Sequence, residues 1–331
     1  LVKLSEIFEE INSICAYTAL MNEFQNSCVY IAPVDRIDEL KSELENIVFE
    51  KDNFFICPGK LQKTFWVQNV WIDAQVEKVE SIKKTAQFLK AIQRNWWAYP
   101  LNLARRTALI QETLPRIVQQ QHPFPFAVPS SPLGSFALLS EDSMIYSPHC
   151  SSAIPNGEFL FQDPAYKTPS AAYLKIWEGL CRFGSFPRKG DDCIDLGSSP
   201  GSWTQALLEL GCSVLSVDKA NLAIESRPEL TFLKKDAFKI DPLSPPIPES
   251  PKWIFSDIIC YPEKLLELAK TWKAAHPSAN FIFTIKFQGP WDRKIVKEFE
   301  AIPNSKVIHL YNNKHELSWL SKPASAFVKN Q

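Results

Sequence analysis

The stretch Asp195-Leu196-Gly197-Ser198-Ser199-Pro200-Gly201-Ser202-Trp203 joins two kinds of sequence, and its reading sets the fold. Cys193 to Leu196 before it form a short apolar run that suits a buried strand, and Trp203 to Leu210 after it have helical spacing. Gly197 and Gly201 bracket Pro200 in a strand-to-helix turn, where small residues let the main chain approach a ligand closely. A second apolar run, Ser213 to Val217, ends in Asp218. A carboxylate at that point can accept hydrogen bonds from ribose hydroxyls.

Outward from this turn, strands and helices alternate. Ser170 to Phe183 reads as an amphipathic helix, and Trp253 to Ser256 and Phe281 to Ile285 as buried strands separated by a helix from Pro262 to Ala275. Lys306 to Tyr311 and Leu317 to Leu320 form a closing pair with a connection short enough for antiparallel strands. The alternation predicts an α/β, doubly wound, Rossmann-like domain with a mostly parallel seven-stranded sheet, assigned to residues 161–331. Residues 1–160 are read as a smaller α/β or α+β domain. Its expected strands are Val29 to Ala32, Asn53 to Cys57 and Phe65 to Ile72; its expected helices are Asp35 to Asn46 and Val79 to Trp97. Two proline-rich stretches read as loops: Leu114 to Gly134, expected to close the first domain, and Asp241 to Pro251 inside the second.

A chain of 331 residues, 45% hydrophobic and 22% charged, has material for two soluble domains. Its formal net charge of −1 creates no global field toward nucleic acid or anionic membranes, so RNA binding would need a local basic patch. Eight cysteines without a CxxC pair argue against a zinc ribbon and a disulfide framework, and fit a reducing cytosol. The five histidines make no metal-spaced set, so no metal is expected. Leu1-Val2-Lys3-Leu4-Ser5-Glu6 lacks the features of an export leader, and no apolar stretch is long enough for a membrane span. A cytoplasmic monomer is expected.

The turn itself narrows the ligand. A dinucleotide enzyme would want G-x-G-x-x-G, whereas here proline separates the two glycines. A methyl donor has no pyrophosphate; it presents a methionyl group, a ribose and an adenine, which suit a tight turn followed by a strand-end acid.

With Asp-Leu-Gly-x-x-Pro-Gly-x-Trp in place, the sequence resembles the FtsJ/RrmJ family of ribose 2′-O-methyltransferases. More narrowly, it is similar to the larger bacterial members, of the RlmM type, that methylate a cytidine ribose in 23S ribosomal RNA. The likeness covers about Pro164 to Lys322. Ser202 stands where the family has a second adjacent glycine. The resemblance implies a class I methyltransferase fold, S-adenosyl-L-methionine as cofactor and RNA as partner. It also implies a Lys-Asp-Lys-Glu catalytic set. Lys175 follows Ala171-Ala172-Tyr173-Leu174, Asp257 lies in Ser256-Asp257-Ile258-Ile259, Lys286 ends Phe283-Thr284-Ile285-Lys286, and Glu316 lies in Lys314-His315-Glu316-Leu317. The implied cofactor-binding residues are Asp195, Gly197, Ser199, Pro200, Gly201, Ser202, Trp203, Asp218 and Asp257, with Asp236 facing the adenine.

The chemistry needs such a set. A ribose hydroxyl is a poor nucleophile, so the protein must remove its proton and align it with an electrophilic methyl group. A lysine, with an ordinary pKa of about 10.4, becomes a useful base when burial or a like charge lowers it. Lys286 is read as that base, Lys175 as the neighbouring charge, Asp257 as its orienter and Glu316 as a balancing acid. Taken singly, each could be a solvated lysine or a loop acid; their joint order beside the turn carries the reading. One competitor is a cytosine-C5 RNA methyltransferase using Cys260 as nucleophile, although no proline precedes that cysteine. The others are a donor-binding RNA-assembly factor with weak or lost catalysis and a small-molecule methyltransferase.

In the first half, Lys60 and Lys63 interleave with Phe65, Trp66 and Trp71, and a second cluster holds Lys83, Lys84, Lys90, Arg94, Trp96, Trp97, Tyr99 and Arg105. Cations with rings suit RNA phosphates and splayed bases, unless the rings are core and the cations a solvated face.

Overall fold

The computed structural model describes residues 23–323; Leu1 to Glu6 and Cys15 lie outside the described residues. Two compact units emerge. One contains residues 23–120 with Pro129–Glu158, the other Gln121–Val128 with residues 159–323.

The first unit is α+β. Its strands are β1 (Ser27–Ile31), β2 (Phe49–Lys51), β3 (Phe54–Pro58), β4 (Asn69–Lys78), β5 (Trp96–Ala98), β6 (Gly134–Leu138), β7 (Ser143–Ser147) and β8 (His149–Cys150). They form one sheet in the order β2-β3-β1-β4-β7-β6-β5, with β8 on β4; only β5 and β6 run parallel. Helices α1 (Ile37–Lys41), α2 (Ile82–Ile92) and α3 (Ala104–Thr113) complete it. Strand periodicity sorts the core. Phe136, Leu138 and Met144 join a cluster with Ala86, Leu89 and Ile110 of the helices, while Ala137 and Ile145 face an opposite cluster around Phe54 and Trp71.

Several expectations here are corrected. The proline-rich stretch does not close the unit, because β6, β7 and β8 follow it and belong to the same sheet. The helix expected from Val79 to Trp97 is shorter. Ser81 caps it by accepting the Lys84 N–H at 3.3 Å, and Trp96 turns into β5. The strand expected from Phe65 begins only at Asn69, because Glu43 takes the N–H groups of Phe65 and Trp66, each at 2.9 Å. Phe65, Trp66, Trp71 and Trp96 are fully buried, so these rings are core and unavailable to RNA.

The second unit has the predicted doubly wound form. Its elements are α4 (Tyr173–Phe183), β9 (Asp192–Leu196), α5 (Ser202–Glu209), β10 (Ser213–Asp218), β11 (Leu230–Lys234), β12 (Trp253–Ser256), α6 (Pro262–Ala275), β13 (Asn280–Lys286), α7 (Arg293–Glu300), β14 (Ser305–Ile308) and β15 (Glu316–Ser321). The sheet order is β11-β10-β9-β12-β13-β15-β14. The first five strands in that order are parallel, and β15 runs antiparallel to both its neighbours. Strands β12 and β13 are buried on both faces, as their unbroken apolar runs require. The strand order reverses beside β9, and the crevice at the carboxyl ends of β9 and β12 is where such sheets hold ligands. No helix among the described residues is long and apolar enough to cross a membrane.

Candidate active site

At that crevice lies a cavity of about 420 Å³. Its floor is the glycine turn. Gly197 has φ of +78°, and a Cβ there would lie 2.1 Å from Cγ1 of Ile258, so only glycine fits. Gly201 caps α5 with φ of +114°; it does not line the cavity, and its close neighbour is Ile224. Ser199 is held by its N–H to Asp218 Oδ2 at 3.0 Å, and Oδ1 of Asp218 accepts the Ala220 N–H at 2.8 Å. Each oxygen keeps a second acceptor site, so Asp218 both shapes the turn and remains able to receive a hydroxyl. Ser202, where the resembled family has glycine, fastens the turn to the chain entering α4: its Oγ accepts the Ser170 N–H at 3.0 Å and donates to Ser170 O at 3.1 Å. Trp203 Nε1 donates to Ala172 O at 2.8 Å and does the same job.

Asp195, Gly197, Ser199, Pro200, Ser202, Trp203, Asp218, Asp236 and Asp257 all line this cavity. Asp236 caps a short 3-10 turn by accepting the Phe238 N–H at 3.1 Å. Phe238, missed in the sequence, also lines the wall and carries Lys264 Nζ 4.0 Å from its ring centre.

Asp195 is the most deeply buried acid of the wall. Oδ2 accepts from Thr204 Oγ1 at 2.6 Å, but Oδ1 has no partner among the described residues, and neither does Ser198 Oγ. Burial raises the carboxyl to about 7 against the opposing Thr204 hydrogen bond, with Asp257 and Asp218 adding to the rise. Both groups keep hydrogen-bonding capacity that the described protein atoms do not use.

The four charged residues converge at the other end. Pairing of β9 with β12 sets Ser256 opposite Leu196, so Asp257, one residue on, emerges beside Gly197. Antiparallel β13 and β15 set Lys286 directly opposite Glu316. Lys175 Nζ lies 2.8 Å from both Asp257 oxygens and 3.1 Å from Glu316 Oε1. Lys286 Nζ lies 3.1 Å from Asp257 Oδ1 and donates to Asp257 O at 2.5 Å. Burial opposes the charged form of Lys175, but the carboxylates of Asp257 and Glu316 outweigh it and hold its pKa above the ordinary value. Of the four, Asp257 and Lys286 line the cavity; Lys175 and Glu316 stand behind them.

One supporting residue gave no sequence signal. Glu178, a turn after Lys175 on α4, is fully buried. It accepts from Arg182 Nε at 2.7 Å, from the Tyr311 and Asn312 N–H groups at 2.9 Å, and from Asn312 Nδ2 at 2.9 Å. It thereby ties the segment leading into Glu316 to the helix bearing Lys175. Cys260 does not line the cavity, and burial pushes its thiol up to about 11 despite Lys264 and Lys286, which disfavours a thiolate nucleophile.

Residues 169–330 match the family model of the FtsJ-like methyltransferases. Among relatives, the ribosomal RNA large subunit methyltransferase M of Pseudoalteromonas atlantica is 26% identical over 193 residues, covering 52% of each chain. Its namesake from Halorhodospira halophila is 29% identical over 123 residues, covering 36% of this chain and 35% of its own. The chain thus spans about half, or less, of the length of these curated relatives. A solved protein from Plasmodium falciparum, described by name only as a ribosomal RNA methyltransferase, aligns at 16% identity and a TM-score of 0.34, covering 46% of this chain and 97% of that one. S-adenosyl-L-methionine, the cofactor of this fold class, fits the wall chemically. Asp195 Oδ1 and Ser198 Oγ suit its ammonium and carboxylate, Asp218 its ribose hydroxyls, and Asp236 with Phe238 its adenine.

Proposed function

Taking the second unit as an FtsJ-like methyltransferase domain, we propose that the protein transfers a methyl group from S-adenosyl-L-methionine to a ribose 2′-hydroxyl of RNA, with 23S ribosomal RNA as substrate. The observation that supports this reading most is the meeting of Lys175, Asp257, Lys286 and Glu316 through contacts of 2.8–3.1 Å at the cavity end.

When bound, the cofactor supplies an electrophilic methyl group on a sulfonium. Lys286, whose Nζ borders the cavity, acts as general base in its neutral amine form and becomes an ammonium as it takes the proton from the 2′-hydroxyl. Asp257 orients Lys286 through Oδ1 at 3.1 Å, and its main-chain carbonyl fixes the same nitrogen. Lys175, kept charged, lies between the carboxylates of Asp257 and Glu316 and offsets their mutual repulsion. Asp195 and Asp218 hold the donor in register with the hydroxyl, and alignment of this kind is a large part of what such a site contributes.

In the first unit, Lys83, Lys84, Lys90, Arg94 and Arg105 are exposed, and these cations supply the phosphate contacts that the balanced net charge does not. The reading makes this unit the RNA-recognition domain of a cytoplasmic, monomeric enzyme. The names borne by the relatives support ribosomal RNA as its partner.

The test is transfer from isotopically labelled cofactor to ribosomal RNA of a strain lacking the gene, followed by nuclease digestion and mass spectrometry. A labelled 2′-O-methyl nucleoside is expected. Label on a base would return the chemistry to base methylation, and RNA binding without transfer would make the protein a donor-binding assembly factor.

A further inference from the structure

Past Asp257 the chain does something unusual for a soluble surface. Ile259 is 77% exposed and Tyr261 is 65% exposed, and among the described residues of this unit only Leu243 joins them as a strongly exposed large apolar side chain. Scattered apolar residues need no explanation, but two within three positions, one of them lining the cavity, do. Ile259 lines the cavity, two residues after Asp257. Tyr261 is not on a loose loop. Its carbonyl accepts the N–H groups of Lys264 at 3.1 Å and Leu265 at 3.2 Å, and Pro262 starts α6 directly after it. Lys264, exposed in the same first turn, carries its ammonium over the ring of Phe238 in the cavity wall, 4.0 Å from its centre.

We propose that Ile259 and Tyr261 form the platform on which the base of the target nucleotide stacks while its ribose enters the cavity. The proposal rests on the RNA reading above and adds the recognition element that reading lacks. A nucleotide delivering its 2′-hydroxyl to Lys286 carries its base one glycosidic bond away, and an unpaired base needs an apolar face to replace the stacking it gives up. An aromatic ring, an aliphatic neighbour and a lysine within six positions match a base and its phosphate. Every base has a π-face, so the platform predicts tolerance of base identity at the ring itself.

The test uses the full chain. Single-stranded RNA carrying 4-thiouridine is photocrosslinked to it, and the attachment site is mapped by peptide mass spectrometry; in parallel, donor Kd and the RNA KM are measured for Tyr261→Ala and Tyr261→Trp. Expected are crosslinks in the peptide bearing Tyr261, a rise in RNA KM of about tenfold or more for Tyr261→Ala, donor Kd within twofold of wild type, and recovery in Tyr261→Trp. Methyl transfer that persists with no crosslink there and an unchanged KM would overturn the platform while leaving the methyltransferase reading intact. Crosslinks at Tyr261 that the alanine variant loses, without any transfer, would support the platform and count against the activity. A tryptophan variant as impaired as the alanine one would also overturn it, because a stacking surface accepts either ring.

Discussion

At the β9–β10 end of the cavity the wall is main chain and short side chains, held by a glycine at φ of +78° and a carboxylate that caps backbone N–H groups. At the β12–β13–β15 end it is long charged side chains, with two ammonium groups and two carboxylates linked in a chain by contacts of 2.8–3.1 Å. The first end is a shape and the second a balance of charge. Shape of this kind is set by a few adjacent residues, whereas the balance needs four segments to be delivered by the sheet at once. A shape should fail through binding, and a balance through turnover.

Three measurements would break or sharpen that contrast. The largest effect is expected for Lys286→Ala, which should lower methyl transfer by about 10²–10⁴-fold while donor affinity, measured calorimetrically, stays near wild type. Full turnover in single-turnover assays would remove the base assignment. Next is Gly197→Ala, whose new Cβ would meet Ile258 Cγ1 at 2.1 Å. Overpacking of about 1–3 kcal/mol, if it falls on the bound form, should weaken donor binding by roughly five- to 150-fold, with a smaller change in transfer at saturating donor. A loss confined to the rate constant at saturation would contradict the division between the two ends.

The smallest effect concerns pH. Asp195 is raised to about 7, above its unfolded value. Its contribution to stability is therefore present below the ordinary carboxylate range and is lost as pH rises through about 7. Donor binding runs the other way, because an ammonium prefers the ionised carboxylate. Donor affinity should rise severalfold between about pH 6 and 8, and Asp195→Asn should flatten that profile. A flat wild-type profile would separate Asp195 from the donor ammonium.

How much of this was legible in the sequence follows the same division. The turn from Asp195 to Trp203 was readable because strand, glycines and helix lie in a row. Strand β12 and helix α6 also have the bounds read from sequence, since an unbroken apolar run stops at Ser256 and Pro262 starts the helix. Lys175, Asp257, Lys286 and Glu316 were reachable only through family resemblance; no local property separates them from surface residues. Glu178 was invisible, because a glutamate on a helix reads as solvated until its partners, 133 and 134 positions away, are known. The edge strand β11 was missed for lack of a buried run. In the first unit, Phe65, Trp66, Trp71 and Trp96 beside lysines could be core or interface, and only packing chose core.

Ile258 sits in the notch that Gly197 leaves by having no side chain, and it adjoins Asp257 along the chain. The two ends of the pocket are thus interlocked like a peg in a socket. The glycine turn and the residue next to Asp257 are therefore in direct contact, and neither can be enlarged without meeting the other.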